Sequence, residues 1–146
     1  MQRRALISYA AGGLLIGLLP LHLSAAAKLT LATVYGDAEF NTGRVHLQLP
    51  ALAENGSSVP LTISVDSPMT EADHVSEIRL FADKNPVPQL ARYRLFAASG
   101  KASISTRVRL SDSQVITAVA RMNDNSLWVA RGEIVVTLAA CIEPLL

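Results

Sequence analysis

The residue most able to do chemistry in this sequence is Cys141, the single cysteine, five positions before the last of 146 residues. A lone thiol cannot close a disulfide within its own chain. On a chain end it can instead take up a group from one partner and hand it to another. Nothing local activates it. An ordinary thiol titrates near about pH 8.5, so only a few per cent is thiolate at neutral pH. Glu143 is two positions away and disfavours the thiolate. On the N-terminal side the nearest cation is Arg131, ten positions away. Any activation therefore has to come from the site the sulfur enters. The plain alternatives are a tail cysteine with no role and one that joins two copies through a disulfide.

The other candidates carry weaker signals. His46 and His74 fall on different segments, with no cysteine or carboxylate at ligand spacing, and read as surface histidines rather than a metal site. There is no G-x-S-x-G elbow, paired-carboxylate motif or H-E-x-x-H. A hydrolase built on Cys141 would lack the rigid support that a catalytic dyad needs. No glycine-rich loop opens a helix that could cradle phosphate. Trp128 reads as a core or interface aromatic. Arg107 and Arg109 share the polar face of one strand, where a solvated face is the default reading. The expectation is a protein that is not an enzyme by itself and needs no cofactor.

The first residues frame the compartment. Arg3 and Arg4 precede an uncharged apolar run from about Ala10 to Leu23, and Ser24-Ala25-Ala26-Ala27 follows. These are the three parts of an export signal ending near residue 27. Gly12, Gly13, Gly17 and Pro20 break the run, which argues against a permanent membrane helix. The adjacent arginines with Leu6 and Ile7 resemble a twin-arginine signal, the route that exports folded proteins. An ordinary secretory signal is the alternative. The expected location is the periplasm. Thirteen Lys and Arg less these two leave eleven, against twelve Asp and Glu, a net of about −1 for the remainder. That balance offers nothing to nucleic acid or to an anionic membrane. An unpaired cysteine in an oxidising compartment suggests an intermolecular bond or a working thiol.

The elements that must position Cys141 read as β-strands. Residues 44–49 alternate, and so do 59–65, 75–82, 90–96 and 102–110. Glu54-Asn55-Gly56-Ser57-Ser58, Ser67-Pro68 and Ser99-Gly100 are turn signals. Asn85-Pro86-Val87-Pro88 lacks two ladder donors and must be a loop or an edge. Residues 114–122 and 127–138 flank Asn123-Asp124-Asn125-Ser126 as a long hairpin. The pattern predicts an all-β, immunoglobulin-like antiparallel β-sandwich of about seven strands over residues 28–138, with a flexible C-terminal cysteine tail over 139–146. Residues 28–43 are ambiguous, and 67–75 could hold one helical turn.

Leu49-Pro50-Ala51-Leu52-Ala53-Glu54-Asn55-Gly56, followed by Val59-Pro60-Leu61, resembles the A-E-N-G…V-P signature of SoxY, the sulfur-carrier subunit of the Sox thiosulfate-oxidising system. Pro68-Met69-Thr70, Lys84-Asn85-Pro86 with Pro88, Ser105 to Leu110 and Val136-Thr137 continue it, over roughly residues 44–141. The resemblance implies a sandwich that pairs with SoxZ as a heterodimer. It implies a tail cysteine, matched here by Cys141, that holds sulfur intermediates covalently. Transient contact with SoxXA, SoxB and SoxCD-type enzymes is implied too.

The tail departs from the family's G-G-C-G-G. Ala139 and Ala140 stand before the cysteine, Ile142 and Glu143 after it, and Pro144-Leu145-Leu146 follows. Ile142 is branched at Cβ and Pro144 restricts its neighbour, where glycines would let an arm thread a narrow channel. The region before Arg44 is also short for the family's leader helix. Three readings stay open: a working carrier with wider-channelled partners, a SoxY-like paralogue with another cargo, or an inactive arm on a non-redox β-sandwich that keeps only the pairing.

Overall fold

The computed structural model describes residues 31–139. The leader assigned to residues 1–27 and the tail from Ala140 onward, Cys141 included, lie outside the described residues. Eight strands follow one short helix: α1 (Leu31–Tyr35), β1 (Val45–Gln48), β2 (Leu52–Ala53), β3 (Val59–Val65), β4 (Val75–Ala82), β5 (Gln89–Arg94), β6 (Ser103–Val108), β7 (Gln114–Met122) and β8 (Leu127–Val136). They form an all-β sandwich. One sheet has the order β1-β3-β6 and the other β2-β8-β7-β4-β5.

Alternation decides which side chains meet between the sheets. Val59, Leu61, Ile63 and Val65 of β3 are buried, as are Ile78, Leu80 and Ala82 of β4 and Ile116, Ala118 and Ala120 of β7. A period of two puts each set on one face, and burying that face is the main driving force for the fold. The β7–β8 hairpin forms as its sequence implies. Asp124 Oδ1 accepts from the backbone N–H of Ser126 at 2.9 Å, and Asn125 takes φ 66° to close the loop.

The structure refines three points of this reading. The pairing is not wholly antiparallel, because β2 runs parallel to β8, with Leu52 opposite Val135 and Ala53 opposite Val136. Pro50 separates β1 from β2, and the chain passes there from one sheet to the other. Counting this two-residue strand brings about seven strands to eight. The ambiguous stretch 28–43 holds a helix, α1, of only five residues, too short to show a helical period. Residues 67–75 hold no helical turn; Met69 is buried with φ 53°, and Ser67 Oγ donates to Asp73 O at 3.1 Å.

The short helix explains a feature that alternation does not. Phe81, Val119, Leu127 and Val129 face away from the main core, yet they are buried under Leu31, Val34, Tyr35 and Phe40. Tyr35 meets Phe40 edge-on at 5.6 Å and Phe81 at 6.3 Å, and the guanidinium groups of Arg79 and Arg121 lie 5.6 and 5.8 Å from its ring centre. Beside this cluster Glu77 is buried between Arg79 Nε at 2.6 Å and Arg92 Nε at 2.5 Å.

Candidate functional site: the root of the C-terminal tail

The site is built from the last strand and what grips its end. β8 delivers the chain to Thr137, Leu138 and Ala139, all exposed, two positions before Cys141 in sequence. The end of β8 is tied down mainly by backbone. Val135 N–H donates to Ala51 O at 2.9 Å and Thr137 N–H to Ala53 O at 3.1 Å. Thr137 Oγ1 donates to Glu54 O at 2.8 Å. Gly56 N–H donates to Leu138 O at 2.8 Å, and Leu110 N–H donates to Gly56 O at 2.8 Å. From the other side Ser113 Oγ accepts from Val136 N–H at 2.9 Å.

The segment Ala53-Glu54-Asn55-Gly56 is therefore more than a turn. It runs parallel to β8 as an edge strand and then folds over its end. Asn55 Oδ1 takes the N–H of Ser57 at 2.8 Å, which fixes the turn that brings the buried Gly56 against Leu138. The sequence marked this segment only as a turn with a resemblance. Its grip on the end of β8 depends on a pairing that spans more than eighty positions (Thr137 with Glu54, for example). No local signal could have revealed that pairing.

Neither histidine among the described residues belongs to this root. His74 sits at the start of β4, with its N–H on Asn123 Oδ1 at 3.2 Å and Nδ1 2.9 Å from Thr70 O. That is the hairpin end of the five-stranded sheet. The ten residues of β8 then separate it from the tail root by roughly 30 Å. His46 is exposed on β1 and pairs with Asp66 Oδ2 at 2.7 Å. Among the described residues no group of three His, Cys, Asp or Glu side chains is placed to hold a metal. Trp128 is half-buried, with Arg44 5.4 Å from its ring centre and its indole N–H on Ser126 Oγ at 3.2 Å. It supports the fold. Arg107 and Arg109 are both exposed; Arg107 reaches Ser58 O and Oγ at 3.3 Å each.

Residues 31–141 match the family of the sulfur oxidation protein SoxY. The chain belongs to the SoxY family. The match ends on Cys141 itself. SoxY is a family of carriers in sulfur oxidation rather than of enzymes. None of the curated proteins matches the chain. Among solved structures it is similar to superoxide reductase (neelaredoxin) from Ignicoccus hospitalis, with 22% identity, a TM-score of 0.57, and coverage of 64% of this chain and 80% of that one. Superoxide reductase from Nanoarchaeum equitans gives 16%, 0.54, 66% and 96%. The reduced neelaredoxin from Archaeoglobus fulgidus gives 17%, 0.51, 66% and 98%. At these identities the likeness is one of fold alone.

Proposed function

We propose that this SoxY-family chain is a periplasmic carrier that holds sulfur-oxidation intermediates covalently on Cys141 during thiosulfate oxidation. It works as a heterodimer with a SoxZ-like partner and visits SoxXA, SoxB and SoxCD-type enzymes in turn. The observation that carries the reading is the family match running through to the single cysteine. The tail root supports it. Residues 53–56 hold Thr137 and Leu138 just past the end of β8, which gives an arm that follows a fixed origin on the domain. The twin-arginine-like leader is consistent with export of the folded pair.

The test is the intact mass of the protein from thiosulfate-grown cells, with and without reductant. The carrier reading expects a reductant-sensitive mass increase mapping to Cys141 and lost in Cys141→Ser. That variant is expected to keep its partner and to abolish thiosulfate-dependent turnover in a reconstituted system. A bare thiol under these conditions, with turnover surviving the substitution, would leave a pairing module with an inactive arm.

A further inference from the structure

The two flanks of the sandwich differ. On one, β1 packs against β8 and the short β2 completes the sheet, so the layers close on each other. On the other, β5 ends the five-stranded sheet and β6 ends the three-stranded one, and neither pairs with the other. Between them lies a surface groove of about 470 Å³. Its wall is apolar, with Val87, Leu90, Tyr93, Thr106 and Val108 among the lining residues. Val87 and Phe96 stand at the two ends of β5, 70% and 68% exposed.

The groove's shape is fixed by one buried side chain. Asn85 Nδ2 donates to Arg109 O at 2.7 Å. Its Oδ1 accepts from Ser111 N–H at 3.0 Å and from Gln114 Nε2 at 3.0 Å. The loop entering β5 is thereby tied to the loop leaving β6. Sequence alone gave Asn85-Pro86-Val87-Pro88 as a loop or an edge; it is the loop that opens the edge.

Arginines predominate on this flank. Arg107 and Arg109 line the groove and no Asp or Glu does. Arg92 and Arg94 lie along β5; Glu77 holds Arg92 and Ser58 accepts from Arg107, while among the described residues no acidic side chain pairs with Arg94, Arg107 or Arg109. Two unpaired sheet edges are a hazard that proteins blunt. Here the blunting is by arginines on both edges. Bringing the edges of two copies together would set cation against cation, which disfavours self-pairing. The same arginines favour a strand bearing carboxylates.

We infer that the β5/β6 flank receives the partner protein. An extended strand of the partner pairs with an exposed sheet edge, sets apolar side chains into the groove and turns carboxylates towards Arg107 and Arg109. The inference rests on the reading of this chain as one half of a heterodimer. It assigns the half of the surface the partner uses.

The test uses the chain co-expressed with the SoxZ-type subunit of the same organism. Hydrogen exchange of the complex against the free chain is expected to protect residues 89–94 and 103–108. Arg107→Glu with Arg109→Glu is expected to weaken pairing at least about tenfold, and rising salt to weaken the unaltered pair. Val87→Asp, at an exposed loop position, is expected to weaken pairing while leaving the thermal transition unchanged. Protection confined to other strands, with both variants within about twofold of the unaltered chain, overturns the inference and leaves the carrier reading standing. Failure of the unaltered chain to pair at all overturns this inference and the heterodimer reading together.

Discussion

At the scale of single residues, Glu77 shows how position decides chemistry. Its burial alone would raise its carboxyl above the ordinary 4.5, but the hydrogen bonds and charges of Arg79 and Arg92 outweigh that and hold it lower. A lowered folded-state value means that the carboxylate's contribution is complete above the unfolded value and is lost as pH falls through the folded one. Glu77→Gln is therefore expected to cost about 2 kcal/mol at pH 7. This is less than for a fully buried pair, because Arg92 is 42% exposed. The gap between the two proteins is expected to close as pH drops below 4.5, as read by urea unfolding at several pH values. A gap that stays constant with pH would mean the carboxylate's charge contributes nothing. In the sequence, Glu77 is one more charged residue in an alternating strand. Its burial comes from the guanidinium groups that cover it, and those arrive from β4 itself and from β5 across the sheet.

The same lesson holds for elements. Strand β8 contains Gly132, where an added side chain would force Leu49 to move. A Cβ would run into Leu49 Cδ2, and Leu47 is close behind. Leu47 and Leu49 cross over β8 on the flank where the sandwich closes. Gly132→Val would suit a strand by propensity alone. It is expected instead to destabilise the fold by about 1–3 kcal/mol, lowering the Tm by several degrees in a calorimetric scan. An unchanged or raised Tm would mean that Leu49 yields without cost. Strands β3, β4 and β7 were legible to the residue, because each buries one regular face and is bounded by turn residues. β2 and α1 were not legible, since two and five residues carry too little period to read. Both owe their structure to partners far along the chain: β8 for the first, and the outer face of β4, β7 and β8 for the second.

At the scale of the whole molecule, the domain body and the sequence around Cys141 can be tested separately. The body has a core, a clamp on the end of β8 and an open flank lined by arginines. The tail has one sulfur and four neighbours that depart from glycine. If bulk beside the sulfur limits access to narrow channels, then replacing Ala139, Ala140, Ile142 and Glu143 together by Gly is expected to raise reconstituted turnover severalfold. The domain's unfolding transition is expected to stay in place. No gain, with loading of Cys141 intact, would mean that the partners' channels already accept this tail.

The sequence by itself determined the class of the fold, through strict alternation and turn residues. It also marked the candidate chemistry, through a single thiol with no lysine, arginine or histidine near it in the chain. Those properties are local, and local patterns survive in a linear string. Only the tertiary structure decided that Ala53-Glu54-Asn55-Gly56 grips the end of β8, that Glu77 sits buried between two arginines, and that, among the described residues, β5 and β6 each end a sheet on the same flank. Each of these depends on pairing between distant strands. Which strand lies beside which is settled by how the two sheets close, not by any residue's nearest neighbours.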